Sequence, residues 1–394
     1  MSINRKNEKT GIFAKDKTTI SNNRVYLGKN VFDESLDRIR YLFDEFENVV
    51  VGFSGGKDST TCLELSLIVA KEKNRLPLKV MFLDQEAEWQ CTIDYVEEVM
   101  NRPDVEPLWF QIPLKIGNSA SLNEEWHYCW DVNTTEWMRE KSPISIHDNV
   151  YGSDRFADLF TKIFAKDFKD KKACYISGVR CEESPARNMA LTGQVTYKGI
   201  TWGKNLSKKE DHYTFYPIYD WSVWDVWVGI FKGSHNYNKL YDYYYQNGKG
   251  IKKMRVSNVH HETAINDLPF MQEIEKDTWN KIVKRIDGAN TSKHMDNWFP
   301  NELPYMFDSW DEYRDHLLEH IIKEELKPAF RKKFNKFDKA FHETPVYIKA
   351  MKCCIKALLI NDYHSTIMDN FLRSPFIYQF NRTRVITGYK DAKK

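Results

Sequence analysis

The sequence predicts an α/β protein: a doubly wound, mostly parallel sheet followed by a mainly helical C-terminal region. Three observations lead there. VVVGF, from Val49 to Phe53, is a β-branched apolar run without alternation, the pattern of a strand buried on both faces. Similar short runs recur downstream, each separated from the next by a segment of helical periodicity. Beyond about residue 235 the patterns become mostly helical and dense in aromatics.

The elements follow in order. Residues 1–29 are rich in Lys, Arg and Asn and read as a loose basic tail, since no apolar run follows the charges as in a secretion signal. Residues 30–47 read as an amphipathic helix. Asn30 can cap it, Asp33 and Glu34 favour its first turn, and Phe32, Leu36, Ile39, Phe43 and Phe46 recur at helical spacing. The strand Val49–Phe53 runs into SGGKDS and then a second helical pattern. KVMFL (Lys79–Leu83) predicts a strand, Glu86–Met100 a helix, LWFQI (Leu108–Ile112) a strand, Arg155–Phe168 a helix and CYISG (Cys174–Gly178) a strand. Periodicity fails over about 113–150, which reads as an insertion beside the sheet. The expected division is a tail over 1–29, a nucleotide-binding domain over 30–232 containing that insertion, and a helical region over 233–394.

Composition sets the outer limits. At 394 residues with 42% hydrophobic and 14% aromatic content, the chain can build a sizeable core. The net charge of +2 gives no global signal for a polyanion partner. No apolar run approaches the roughly 18 residues of a membrane span, so a cytoplasmic protein is expected. The seven cysteines are scattered and form no CxxC; they read as buried thiols, with no zinc or iron–sulfur ligand set. His260-His261-Glu262 lacks the spacing of a zinc-protease helix.

The loop Ser54-Gly55-Gly56-Lys57-Asp58-Ser59 carries the strongest chemistry. A strand turning through two glycines into a helix offers inward N–H groups, little bulk and a positive helix end, all suited to phosphate. Ser54 and Ser59 add hydroxyls and Lys57 a charge. Asp58 repels phosphate directly, so its natural task is to hold Mg²⁺ against the phosphate oxygens. The loop is not a Walker A motif, which would place Gly where Val51 stands and Ser or Thr where Asp58 stands.

Three further segments matter. FLDQEAEW puts Leu83, Asp84 and Glu86 at a strand's carboxyl end, where ligands sit in open sheets; an adenosine pocket with a carboxylate on ribose or metal competes with a plain exposed acidic turn. GVRCEESPAR follows the Cys174–Gly178 strand, and Arg180 and Arg187 there suit bidentate contacts to phosphate or sulfate. PIYDWSVWDVW reads as mainly structural, with Trp221 and Val223 packed inward and Asp220 capping a helix.

SGGKDS after a strand resembles the PP-loop group of ATP pyrophosphatases in all six positions. Together with GVRCEESPAR and PIYDWSVWDVW, it resembles the phosphoadenosine phosphosulfate reductase family over roughly residues 45–230. YLFDEFENVVVGFSGGKDS, YNKLYDYYYQNGKGIKKMRVS and EIEKDTWNKIVKRIDGANTSK are similar to the IbrA/YbdN-like subfamily, through about residue 295. The resemblance implies an adenine nucleotide alpha hydrolase-like fold that binds ATP with Mg²⁺ and cleaves it between the α- and β-phosphates. The implied site comprises Phe53, Ser54, Gly55, Gly56, Lys57, Asp58, Ser59, Leu83, Asp84, Glu86 and Gly178, with Lys57, Asp58, Arg180 and Arg187 catalytic and Asp58 holding the metal. The reductases' Glu-Cys-Gly motif is absent, so their thiol chemistry is not expected.

Three functions follow. The first is transfer of AMP, or thiolation through an adenylylated intermediate, to an unknown acceptor. The second is a nucleotide-binding regulatory or phage-defence module acting with a ParB-like partner, as the subfamily implies, or on nucleic acid through Arg331, Lys332, Lys333, Lys336 and Lys339. The plain reading of those cations is a solvated helix face. The third is sulfate activation.

Overall fold

The computed structural model describes residues 28–372 other than 122–123, 135, 208–209, 259–266, 293–301 and 361. The basic tail up to residue 27 and the His260–Glu262 segment lie outside the described residues.

Helix α1 (Val31–Glu45) starts where expected: the Asn30 side chain accepts the Asp33 N–H at 2.8 Å, and Leu36, Ile39, Leu42 and Phe43 form its buried face. Strand β1 (Asn48–Gly52) then leads through the glycine loop into α2 (Lys57–Glu72). Next come β2 (Leu78–Leu83), α3 (Gln90–Met100) and β3 (Val105–Phe110). The expected insertion contains an antiparallel hairpin, β4 (Leu114–Gly117) and β5 (Trp126–Cys129), followed by irregular chain. After it, α4 (Phe156–Asp167) precedes β6 (Ala173–Ile176), and a 3₁₀ turn at Cys181–Glu183 leads into α5 (Pro185–Thr192). Two short strands, β7 (Gly203–Asn205) and β8 (His212–Phe215), precede α6 (Val223–Gly233) and α7 (Leu240–Gln246).

The sheet order is β3-β2-β1-β6-β8-β7. All pairs are parallel except β7 with β8 at the edge. Both faces of the central strands are covered, as the unbroken apolar run requires. Val49 and Val51 enter one core with α1, α2, α3 and α6, whereas Val50 enters the opposite core with α4 and the hairpin. Val80 and Phe82 share the first core, Met81 and Leu83 the second.

The C-terminal region is helical, as expected. Helices α8 (Leu268–Ile274) and α9 (Lys276–Arg285) pack with α7 and the segment Ala87–Cys91. A short α10 (Ala289–Ser292) follows. Helices α11 (Trp310–Ile321), α12 (Lys327–Phe341), α13 (Tyr347–Leu359) and α14 (Thr366–Leu372) enclose a core of their own around Phe330, Phe334, Phe337 and Phe341. Trp221 and Val223 are buried as expected, but Asp220 does not cap α6. Ser222 does so in a reciprocal box with Asp225, while Asp220 pairs with Arg38, which reaches it from α1.

Candidate nucleotide-binding site

The loop between β1 and α2 lies where the strand order reverses. From β1 the chain moves outward through β2 and β3, then returns to lay β6 on the other side of β1. The connections leaving β1 and β6 diverge there, and a crevice opens outside their carboxyl ends. Gly55 turns the loop at φ +68°, a conformation that disfavours any side chain. Gly56 is the N-cap of α2 and brings no capping side chain, so the helix start depends on groups from elsewhere in the fold for its first-turn N–H donors. The Ser54 N–H donates to Ser59 Oγ at 3.2 Å, and Ser59 Oγ donates to the Gly56 carbonyl at 2.8 Å. These bonds fix the loop from within.

Gly178, after β6, packs against the same turn. A Cβ there would lie 2.7 Å from the Asp58 carbonyl carbon and oxygen, so only glycine permits this approach. The approach delivers Arg180 to the loop. Its Nε donates to Asp58 Oδ1 at 2.5 Å, and Lys57 Nζ donates to Asp58 Oδ2 at 2.9 Å. Arg180 Nη1 also reaches Glu182 and the Trp221 carbonyl, both at 3.2 Å. Both Lys57 and Arg180 are buried, at 5% and 4% exposure. Asp58 thus stands between two buried cations. The expected magnesium ligand has its carboxylate occupied by positive charge, and among the described residues no cluster of His, Cys, Asp or Glu could hold a metal ion. This donor set does not fit a protein-held divalent ion.

Arg187 pairs with Glu183 and sits nearby, half-buried. Burial, and after it Arg255, pulls the Arg187 guanidinium below its ordinary value, with Asp58 opposing. Burial likewise pulls the Lys57 ammonium down; Asp58 partly offsets this, while Arg180 and Arg255 add to it. Four cations therefore crowd against Asp58, Glu182 and Glu183, a local excess of positive charge suited to an anion.

Sequence reasoning missed the groups that close the loop from the far side. The Lys57 N–H donates to the Tyr241 hydroxyl at 2.9 Å, with Tyr241 buried. Asn238 Nδ2 donates to the Gly55 carbonyl at 3.2 Å and to Thr92 Oγ1 at 2.8 Å. Lys57 Nζ lies 3.5 Å from the Met254 carbonyl, and Arg255 Nη2 donates to the Glu183 carbonyl at 3.3 Å. The tyrosine-rich stretch gave these residues no signal beyond its resemblance to other chains.

The remaining expected residues point elsewhere. Phe53 is buried edge-on against Tyr95, and Leu83 lies in the core beneath the sheet. Asp84 and Glu86 are both fully buried, and the expected contact with ribose or metal is replaced by protein partners. Asp84 accepts from Trp109 Nε1 at 2.9 Å, Gln111 Nε2 at 3.0 Å and Arg139 Nη2 at 2.6 Å. Glu86 accepts from Arg285 Nε at 2.7 Å and from the Trp130 and Met138 N–H groups at 2.6 and 3.1 Å. These carboxylates tie the insertion and α9 to the end of β2.

Comparison with known proteins identifies the family. The phosphoadenosine phosphosulfate reductase domain matches residues 48–247, half of the chain, and the chain belongs to that family. A domain of unknown function, DUF3440, matches residues 248–387. The chain is similar to the uncharacterized protein YbdN of Escherichia coli K12, with 29% identity over 279 residues, 68% of each chain. It is 26% identical to the uncharacterized protein MJ0973 of Methanocaldococcus jannaschii, over 69% of this chain and 57% of that one. Among solved structures, a Candida glabrata FMN adenylyltransferase with FMN and an ATP analogue gives a TM-score of 0.36 at 13% identity, covering 60% of this chain and 66% of that one. A Candida auris phosphoadenylyl-sulfate reductase gives 0.30 at 12% identity, covering 58% and 89%.

Proposed function

We propose that the chain binds ATP at the β1–α2 loop and cleaves it between the α- and β-phosphates, passing AMP to an acceptor and releasing pyrophosphate. One observation carries the reading: Lys57, Arg180, Arg187 and Arg255 converge on a glycine loop at the reversal of strand order. The Asp58 and Ser59 N–H groups at the start of α2 and the Lys57 ammonium hold the phosphates, and the arginines stabilise charge that builds on the departing pyrophosphate. Asp58 acts as a positioning residue. It aims Lys57 and Arg180 and offsets the charge they bring to the crevice.

Thiol-dependent reduction is disfavoured by the cysteines nearest the C-terminus. Cys353 and Cys354 are buried in the core of α11–α14, and burial pushes both thiols up, Cys353 to about 12. Nucleic-acid binding through α12 gains no support either. Arg331 pairs with Glu319 and Lys333 with Asp369, and the phenylalanines of the helix face the core, which favours the plain reading of a solvated amphipathic helix.

Calorimetry with a non-cleavable α,β-methylene analogue of ATP tests the site. Wild type is expected to bind it, and Lys57→Ala to lose at least about tenfold in affinity. Equal affinity in the two proteins would place the nucleotide elsewhere.

A further inference from the structure

Helix α6 is apolar on two sides. Val223, Val226 and Ile230 face the core. Trp224, Val228 and Phe231 face solvent at 55%, 49% and 84% exposure. Their spacing of four and then three residues puts them within about 60° of arc, so they form one stripe along the outer surface. A charged outer face would be the ordinary choice for such a helix; three large apolar side chains in register mark a surface that is covered.

We infer that this stripe is a two-fold interface with a second copy of the chain, formed by antiparallel packing of α6 on α6. The charges identify the occupant. Asp225 and Lys232 share one flank of the stripe near its opposite ends, about 10 Å apart along the helix axis. A two-fold axis beside Val228 brings Asp225 of each copy next to Lys232 of the other, on the same side of the contact. It also brings Trp224 of each copy towards Phe231 of the other, and sets the two helix dipoles head to tail. The stripe is therefore complementary to itself in both shape and charge. A single helix of 11 residues per copy is smaller than a standard interface, so a dissociation constant on the order of micromolar is expected.

Sedimentation equilibrium on the full chain tests this, from about 1 to about 200 µM. A concentration-dependent dimer is expected. Phe231→Glu should raise its dissociation constant at least about tenfold, and Lys232→Glu by a smaller factor that shrinks at high salt. Both positions are exposed, so circular dichroism should be unchanged. Val228→Cys should give a covalent dimer with a short bismaleimide linker. The native cysteines are buried apart from the partly covered Cys181, so wild type is the control. A monomer at all concentrations would overturn the inference. So would a dimer indifferent to Phe231→Glu, or a Val228→Cys variant that does not cross-link above the wild-type background.

Discussion

At the residue scale the site turns on Asp58. Its carboxylate engages Lys57 and Arg180 at once, so on the proposed reading it competes with an incoming phosphate for both cations. Asp58→Asn removes a repelling charge, so ATP should bind several-fold more tightly by calorimetry. Turnover should fall by about tenfold or more, because Lys57 and Arg180 lose their aim. Weaker binding in that variant would instead favour a metal-bridging carboxylate. Tyr241 makes a second test. Its hydroxyl accepts the N–H at the start of α2, a donor that phosphate also seeks. Tyr241→Phe should cost about 1 kcal/mol of stability in denaturant titration while ATP affinity rises. Glu88 gives a pH signature. Burial, and then the charge of Asp84, raise its carboxyl to about 8, against Arg139. The folded value exceeds the unfolded one, so the folded state holds the extra proton between about pH 4.5 and 8, and stability falls as pH rises through that window. Glu88→Gln should flatten this fall, by a few kcal/mol in order of magnitude, in unfolding curves taken at pH 5 and pH 8.

At the element scale, the parts legible in sequence are those whose cause is local. The run at Val49–Phe53 announces a doubly buried strand, and Gly55-Gly56 announces the turn into α2. Helix α1 is readable from its cap and its apolar spacing. The hairpin β4–β5 is hidden because its short strands sit in chain with no sustained period. Strands β7 and β8 escape for a similar reason: Gly203–Asn205 is polar, and its pairing with β8 follows from the sheet edge, not from side-chain pattern. Arg180 is visible as a candidate, but its bond to Asp58 spans 122 residues and depends on β6 pairing with β1. Asp84 and Glu86 stand at a strand end as expected, yet the partners that bury them come from the insertion and α9, and no local pattern forecasts either contact. The same β1–β6 packing supports a prediction. Gly178→Ala forces a Cβ against the first turn of α2. It should weaken ATP binding by about an order of magnitude and lower stability by about 1–3 kcal/mol, seen in calorimetry and thermal unfolding.

At the scale of the whole molecule, both matched regions contribute residues to the candidate site. They meet between residues 247 and 248, yet Tyr241 comes from the first, and Met254 and Arg255 from the second. A common core that joins Trp89 with α7, α8 and α9 holds these segments against the glycine loop. The final four helices form a separate core and touch the β4–β5 hairpin through Tyr363 and through His364, whose ring lies 4.9 Å from that of Trp126. The first region thus supplies the glycine loop, and the second completes its charge. Among the described residues, no helix is long and apolar enough to cross a membrane. Which bond of ATP is broken is tested most directly by following ATP labelled at the α-phosphate through turnover by the full chain, with sulfate, nucleic acid and protein offered as acceptors. Label in AMP or in an adenylylated acceptor, with pyrophosphate released and both lost in Lys57→Ala, is the predicted result. Label recovered as ADP, with orthophosphate released, would contradict it.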